Sequence, residues 1–361
     1  MNKFNPEEPY NELPLLPPDK NIETKAVLQK ALKAGRVLAE LKGKCAIIPD
    51  PTILINSLVL QEAKASSEIE NIITTNDDLF KAFSAKSNKF SSVTKEVLRY
   101  RQALWSGYEF VKDKQLLNTN LFIDIVQIIK KNEAGIRKTT GTHLHNPIND
   151  EIVYTPPEGE DLIRDKLHDL EKYINKKDDV DPLIKLPVIH YQFEAIHPFL
   201  DGNGRAGRII NILFLALKDL LDLPILYHSK YIIDNKTEYY RLLRNVTIDE
   251  AWEPFILFML EAIERTSLFT IDIINNINSL MQETIRLAKS QLPDRVYSKE
   301  LIELIFKQPY TKIDFLVKAD IAKRKTASEY LQELEKIDIL KSIKVGREKL
   351  FLNKKLYNLF S

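Results

Sequence analysis

HPFLDGNGRAGR, residues 197–208, decides how the rest of this 361-residue chain is read. The chain holds ten glycines, and three of them, Gly202, Gly204 and Gly207, fall within these twelve residues. Glycines so spaced let consecutive backbone N–H groups turn toward one point. A helix starting there adds a partial positive charge, and the two together suit a phosphate. Arg205 and Arg208 are three apart on one face of the first turn and can address the same anion. Asp201 precedes the glycines and suits a Mg2+ that bridges phosphate oxygens. His197, four residues earlier, is fit to act as a base near neutral pH. Phe199 is expected to point inward and pin the loop.

Other readings stay open on the residues alone. GNGRAG satisfies G-x-G-x-x-G, the dinucleotide fingerprint, but that fingerprint follows a strand. The preceding LPVIHYQFEAI, 186–196, has helical length and spacing. His190, Glu194 and His197 stand at i, i+4 and i+7 of one helix face, a spacing open to metal ligands. That reading leaves the glycines and arginines unexplained, whereas His190 and Glu194 serve equally as internal hydrogen-bonding groups. A plain glycine-rich turn with solvated arginines would make the His–Asp–Arg grouping a coincidence.

Outward from this stretch the chain reads as mainly helical. Apolar residues recur at three- and four-residue spacing from Glu23 (Val27, Leu28, Leu32, Val37, Leu38, Leu41) until Pro49 and Pro51 interrupt. A second helix is expected over 53–72, and others over 76–87, 92–113 and 118–133. THLHNPINDEIVYTPP, 142–157, reads as a hairpin turning at 146–150 and closed by Pro156 and Pro157. GEDLIRDKLHDLEKYI resumes the helix. IINILFLALKDLLDL is apolar nearly all round and is expected to be a buried central helix, and helices continue to about Leu287. In the last segment, SKELIELIF, TKIDFLVKAD and KRKTASEYLQELEKI read as three short helices. ILKSIKVGREKLFLN then reads as two strands around Val345-Gly346-Arg347, completing a winged-helix pattern.

Composition narrows the class. Apolar residues make up 44% and charged residues 29%, an ordinary globular balance. The start, MNKFNPEEPYNELPLLPPDK, has no apolar run behind basic residues and reads as a proline-rich strap, not a signal peptide. No apolar stretch reaches membrane length, so no membrane partner is expected. A single cysteine, Cys45, excludes intrachain disulfides and zinc fingers and favours a cytoplasmic location. Net charge is +1 overall, yet residues 286–361 carry 17 Lys and Arg against 10 Asp and Glu. A basic tail on a mildly acidic body points to an anionic partner for the tail alone.

HPFLDGNGRAGR resembles the signature of the Fic family, HPF-x-[DE]-GNGR-x-x-R, at every fixed position. Thr155-Pro156-Pro157 resembles the family's flap, and EYYRLLRNVTIDEAWEPFILFML the close of its fold. The likeness spans roughly 50–265. It implies a Fic-type helical bundle with a small hairpin flap, followed by a C-terminal winged helix. The implied domains are 1–110 with an inhibitory helix near 57–72, a catalytic core at 111–265, a linker helix at 266–290 and a winged helix at 291–361. It also implies transfer of AMP from ATP to a Ser, Thr or Tyr hydroxyl of a target protein, or of the chain itself. His197 would take the hydroxyl proton and Asp201 would hold Mg2+. Asn203 with the amides of Gly202 and Gly204 would stabilise phosphate charge, Arg205 would bind the β-phosphate, and Arg208 the γ-phosphate. The hairpin would hold the target segment as an added strand. Kinase-like members alter the GNG core, which is intact here. Tyr239 and Tyr240 are the residues singled out for adenine, and the family allows a homodimer.

SSEIEN, 66–71, is by itself an ordinary helix surface. Beside the resemblance it matches the family's inhibitory pattern [ST]-x-x-x-E-[GN] through Ser66, Glu70 and Asn71. Glu70 would then pair with Arg208 and deny it to the γ-phosphate, since an Arg–carboxylate fork competes well with a phosphate. The competing whole-chain reading is a transcription regulator that senses nucleotide and binds DNA through KRKTASEYLQELEK and Arg347. The acidic Glu329, Glu333 and Glu335 on that helix argue against it, and an intact His197 favours the enzyme.

Overall fold

Residues that cap through a short side chain set several helix starts. Thr24 accepts from the Val27 N–H and opens α1 (Lys25–Cys45). Thr75, Ser91 and Asn118 do the same for α3 (Asn76–Ser84), α4 (Ser92–Lys114) and α5 (Thr119–Lys130). Pro51 stands before α2 (Thr52–Ile69) without a side-chain cap. The computed structural model describes residues 4–85, 90–145 and 150–360. After α5 come β1 (Leu144–His145) and β2 (Ile152–Tyr154), an antiparallel pair with Leu144 opposite Tyr154. Residues 146–149 of the turn expected at 146–150 lie outside the described residues, as do the last two of the helix expected over 76–87, but α3 has already ended at Ser84, with Ala85 extended.

α6 (Glu160–Asn175), α7 (Pro182–Ile196) and α8 (Asn203–Leu217) follow. Asp181 caps α7, with Pro182 at the first helical position, where a missing N–H costs nothing. α7 therefore starts four residues before the expected 186. α8 is buried on nearly every side and packs against α2, α4, α5, α7 and α9 (His228–Asp234), the central position its apolar sequence calls for. α10 (Lys236–Asp249) leads to α11 (Trp252–Gln291), a single helix of 40 residues that packs along α1. The N-terminal strap forms neither helix nor strand over 4–24 and turns at 6–7 and 11–12. It is held by Tyr10 N–H to the Thr155 carbonyl (2.9 Å) and by Gln192 to the Pro14 carbonyl (2.8 Å).

Past α11 the chain forms α12 (Lys299–Phe306), β3 (Tyr310–Thr311), α13 (Ile313–Lys318), α14 (Arg324–Lys336), β4 (Lys341–Val345), β5 (Glu348–Leu352) and α15 (Lys354–Asn358). The sheet order is β3-β5-β4, all antiparallel. The β4–β5 turn falls at Gly346, whose φ of 59° suits glycine. β3 and α15 are additions to the sequence reading, too short to show a period. Among the described residues no helix is long and apolar enough to cross a membrane.

This last segment grips α3. Phe80, fully buried, packs its ring against Tyr357 and Phe360. The Tyr310 hydroxyl donates to Asp77 (2.5 Å), and the Gln308 amide donates to Ser84 (2.9 Å). Phe80→Ala is expected to cost about 3–5 kcal/mol by opening a cavity here. The check is urea unfolding, with a lower midpoint expected and readier proteolysis between α11 and α12.

Candidate active site

The 197–202 loop joins two buried helices, and its conformation follows from that constraint. His197 ends α7 in the left-handed region (φ 48°) with its N–H on the Phe193 carbonyl, and Phe199 is buried beneath the loop. Gly202 takes φ 92° and caps α8, a conformation that a side chain would strain. Asn203 closes the loop: its Oδ1 accepts from Phe199 N–H (2.9 Å) and its Nδ2 donates to Phe199 C=O (2.7 Å). The resemblance gives this amide to phosphate. Here both its polar atoms are engaged and it is 2% exposed, so it shapes the loop.

The two arginines do not share an anion in this structure, because separate carboxylates hold them. Arg205, 1% exposed, donates to Glu96 Oε1 (2.6 Å) and Asp201 Oδ1 (3.2 Å). Lys130 Nζ bridges the same two carboxylates, at 2.9 Å from Glu96 and 2.5 Å from Asp201. Burial works to raise the Asp201 carboxyl, but the Lys130 hydrogen bond and charge outweigh it, so its pKa is lowered. Arg208 points the other way. Its Nε donates to Ser66 Oγ (2.8 Å), and its Nη2 donates to the Ser66 carbonyl (2.8 Å) and Glu70 Oε1 (2.7 Å).

The geometry of SSEIEN explains its spacing. Asn71 takes φ 60°, its N–H bonds the Glu68 carbonyl (3.0 Å), and the Ile72 N–H bonds the Ser67 carbonyl (3.0 Å). This is a Schellman motif, which favours Gly or Asn at the left-handed residue. It leaves Glu70 as the capping residue just past α2, one turn beyond Ser66, so both reach one guanidinium. Gly204 has no side chain where Glu70 lies: a Cβ there would overlap Glu70 Oε1 and stand 3.0 Å from an Arg208 nitrogen.

His197 is half-buried, with Nδ1 unpartnered among the described residues. Burial first, and the Arg137 charge second, lower its pKa to about 4, so the imidazole is neutral at pH 7. This differs from the near-neutral value expected of an exposed histidine. Arg137 is buried and donates to the carbonyls of His197 (2.8 Å) and Pro157, tying the loop to the flap. His190 is internal, with Nε2 on the Tyr239 hydroxyl (2.7 Å) and Nδ1 on Asn211 (3.0 Å). Glu194 lies 2.6 Å from where a Gly207 Cβ would stand, and burial pushes its pKa up to about 7. Tyr239 is 1% exposed and locked on His190, whereas Tyr240 keeps 44% of its surface exposed. Only the Tyr240 ring can offer a face to a base.

No cluster of three or more His, Cys, Asp or Glu side chains converges as a metal cage among the described residues. One exposed carboxylate, Asp201 (60%), is what a Mg2+ arriving with a nucleotide needs, because Mg2+ usually takes one or two carboxylates plus substrate phosphates. The sequence reading missed Glu96, Lys130 and Arg137. They lie on α4, on α5 and in the loop after α5, and only folding brings them to the 197–208 stretch.

Three family models match the chain: "Fic/DOC family N-terminal" over 28–109, "Fic/DOC family" over 116–215, and "Protein adenylyltransferase SoFic-like, C-terminal domain" over 280–356. A probable protein adenylyltransferase of Aquifex aeolicus is 24% identical over 182 residues, 49% of this chain and 54% of that protein. Protein adenylyltransferase fic-1 of Caenorhabditis elegans is 25% identical over 129 residues, 35% of this chain and 22% of that one. The chain thus spans about half the length of the first relative and under a quarter of the second. A solved Fic family protein of Desulfovibrio desulfuricans shares the fold with TM-score 0.58 at 19% identity, covering 93% of this chain and 98% of that one. Fic-1 of C. elegans gives 0.52 at 17% identity, covering 69% and 74%.

The Glu70–Gly204 contact has a measurable sign. Gly204→Ala is expected to destabilise the native chain by about 1–3 kcal/mol through overpacking against Glu70. In a Glu70→Gly background the same change should be neutral or stabilising by up to about 1 kcal/mol, since Ala is the better helix former. A double-mutant cycle in urea unfolding measures the coupling.

Proposed function

Because this chain belongs to the Fic/DOC family and carries both of its domains, we propose that it transfers AMP from ATP to a protein hydroxyl. The observation that carries the reading is the His197 imidazole, its Nδ1 unpartnered among the described residues, one loop away from a helix start flanked by Lys130, Arg205 and Arg208. The names of the similar proteins, protein adenylyltransferases, support it.

The target hydroxyl oxygen bonds the α-phosphorus while the bond from that phosphorus to the β-bridging oxygen breaks. The electron pair leaves with pyrophosphate, and the hydroxyl proton passes to His197. A weakly basic imidazole suits a loose transfer to phosphorus, in which the nucleophile keeps its proton until late. Asp201 would hold Mg2+, which supplies positive charge to the phosphates when bound. The amides at Gly202 and Gly204 and the Arg205 guanidinium stabilise the departing diphosphate. Tyr240 offers adenine its exposed face, and the β1–β2 flap holds the target segment as an added strand.

Glu70 restrains the reaction by occupying Arg208, the cation that the γ-phosphate would use. Arg208 is 1% exposed and Ser66 holds it from two sides, so it does not move to meet a ligand. Glu70, 32% exposed at a helix end, is the more accessible partner.

A second reading rests on exposed Lys323, Arg324 and Lys325 at the start of α14, which suit a nucleic-acid backbone. Glu329, Glu333 and Glu335 on the same helix pair with Arg295, Lys336 and Lys349, leaving that surface mixed in sign. A gel shift of the full chain that weakens steeply with salt would favour DNA binding.

Incubation of the Glu70→Gly chain with labelled ATP and Mg2+ is expected to label protein more than the native chain does. His197→Ala in that background should lose about 10²–10⁴-fold. Label absent from the Glu70→Gly chain and from every protein of a lysate defeats the proposal. The pH profile adds a further check. Neutral His197 is the active form, so the rate should hold as pH falls through 6.5 and drop only near or below about 4.

A further inference from the structure

Four charged groups close a ring beside the start of α8: Lys130 with Glu96 and Asp201, and Arg205 with the same two carboxylates. Two cations balance two carboxylates. The members differ in freedom, however. Arg205 is 1% exposed and its guanidinium is pinned at both ends, whereas the Lys130 side chain is 22% exposed and Asp201 60%. The Lys130 stem lies over Gly202, with its Cγ and Cδ 3.8 and 3.9 Å from where a Cβ would stand. That places the ammonium at the mouth of the helix start, on a four-carbon stem able to follow a ligand.

Resting on the AMP-transfer reading, we infer that Lys130 is a diphosphate-binding residue, which exchanges Asp201 for a β-phosphate oxygen of ATP and stays with the pyrophosphate as it leaves. An ammonium has three donors, and Glu96 occupies one of them. Once Asp201 turns to the nucleotide's metal, a second donor is free. The oxygen that receives the electron pair of the breaking bond belongs to the β-phosphate, so a cation there stabilises the transition state more than the bound substrate. Glu96 keeps both Lys130 and Arg205 aimed at the helix start after Asp201 has let go.

The alternative is that Lys130 merely holds Asp201 in place. Calorimetry on the full-length Glu70→Gly chain separates the two, with ATP and AMP titrated in the presence of Mg2+. Lys130→Met is expected to weaken ATP about tenfold, the effect of losing one charge-assisted contact. AMP, which has no β-phosphate, should bind unchanged, and Lys130→Arg should stay within about threefold of the parent for ATP. Unchanged ATP affinity in Lys130→Met, or equal loss for ATP and AMP, overturns the inference while leaving the AMP-transfer reading standing. A Glu70→Gly chain that binds neither nucleotide overturns both.

Discussion

One buried guanidinium organises this molecule. Arg208 lies on the central helix α8 with 1% of its surface exposed, and a charge so placed is tolerable only when acceptors surround it. Ser66 supplies two of them, its hydroxyl and its carbonyl, and Glu70 supplies the third. The end of α2 is thereby fixed against the start of α8, and the 197–202 loop is fixed with it. Burial alone would lower the Arg208 pKa, but the Glu70 charge reverses this and raises it, so the cation is permanent.

The rest of the site follows from having two cations on one helical turn that must not compete for one carboxylate. Arg208 is satisfied on the α2 side. Arg205 is satisfied on the α4–α5 side through Glu96, with Lys130 and Asp201 completing the set. Between them the α8 N-terminus stays bare, because Gly202 takes φ 92° and Gly204 has nothing to place against Glu70. A side chain at Gly204 would overlap the Glu70 carboxylate, and one at Gly202 would strain a backbone at φ 92°. Under the proposed function, a phosphate's approach to the α8 start and its obstruction by Glu70 would both depend on the missing side chain at Gly204.

Much of the fold was readable because helices declare themselves by period and cap. Thr24, Thr75, Ser91 and Asn118 stand where helices start, and the β4–β5 turn falls at Gly346. Boundaries failed where the deciding feature was not periodic. Lys131 ends α5 by taking a left-handed conformation that lysine seldom signals (φ 54°), so the helix stops short of 133. Two-residue strands such as β3 carry no alternation to detect.

Within the site, the sequence alone determined the local set: His197, Asp201 and the glycines lie in one stretch, and Asn71 is the Gly-or-Asn position that a Schellman motif favours. It also paired Glu70 with Arg208 by resemblance, across 138 residues. Only the tertiary structure could decide what each charge faces. Glu96, Lys130 and Arg137 are unremarkable along the chain; helix packing brings the first two to the start of α8, and the loop after α5 brings Arg137 to the His197 and Pro157 carbonyls. The low basicity of His197 and the loss of Asn203 to its own loop are likewise effects of burial and of hydrogen bonds to distant or folded-back backbone. A residue's type fixes which chemistry it can perform, but its pKa and its free donors depend on neighbours that sequence order does not name.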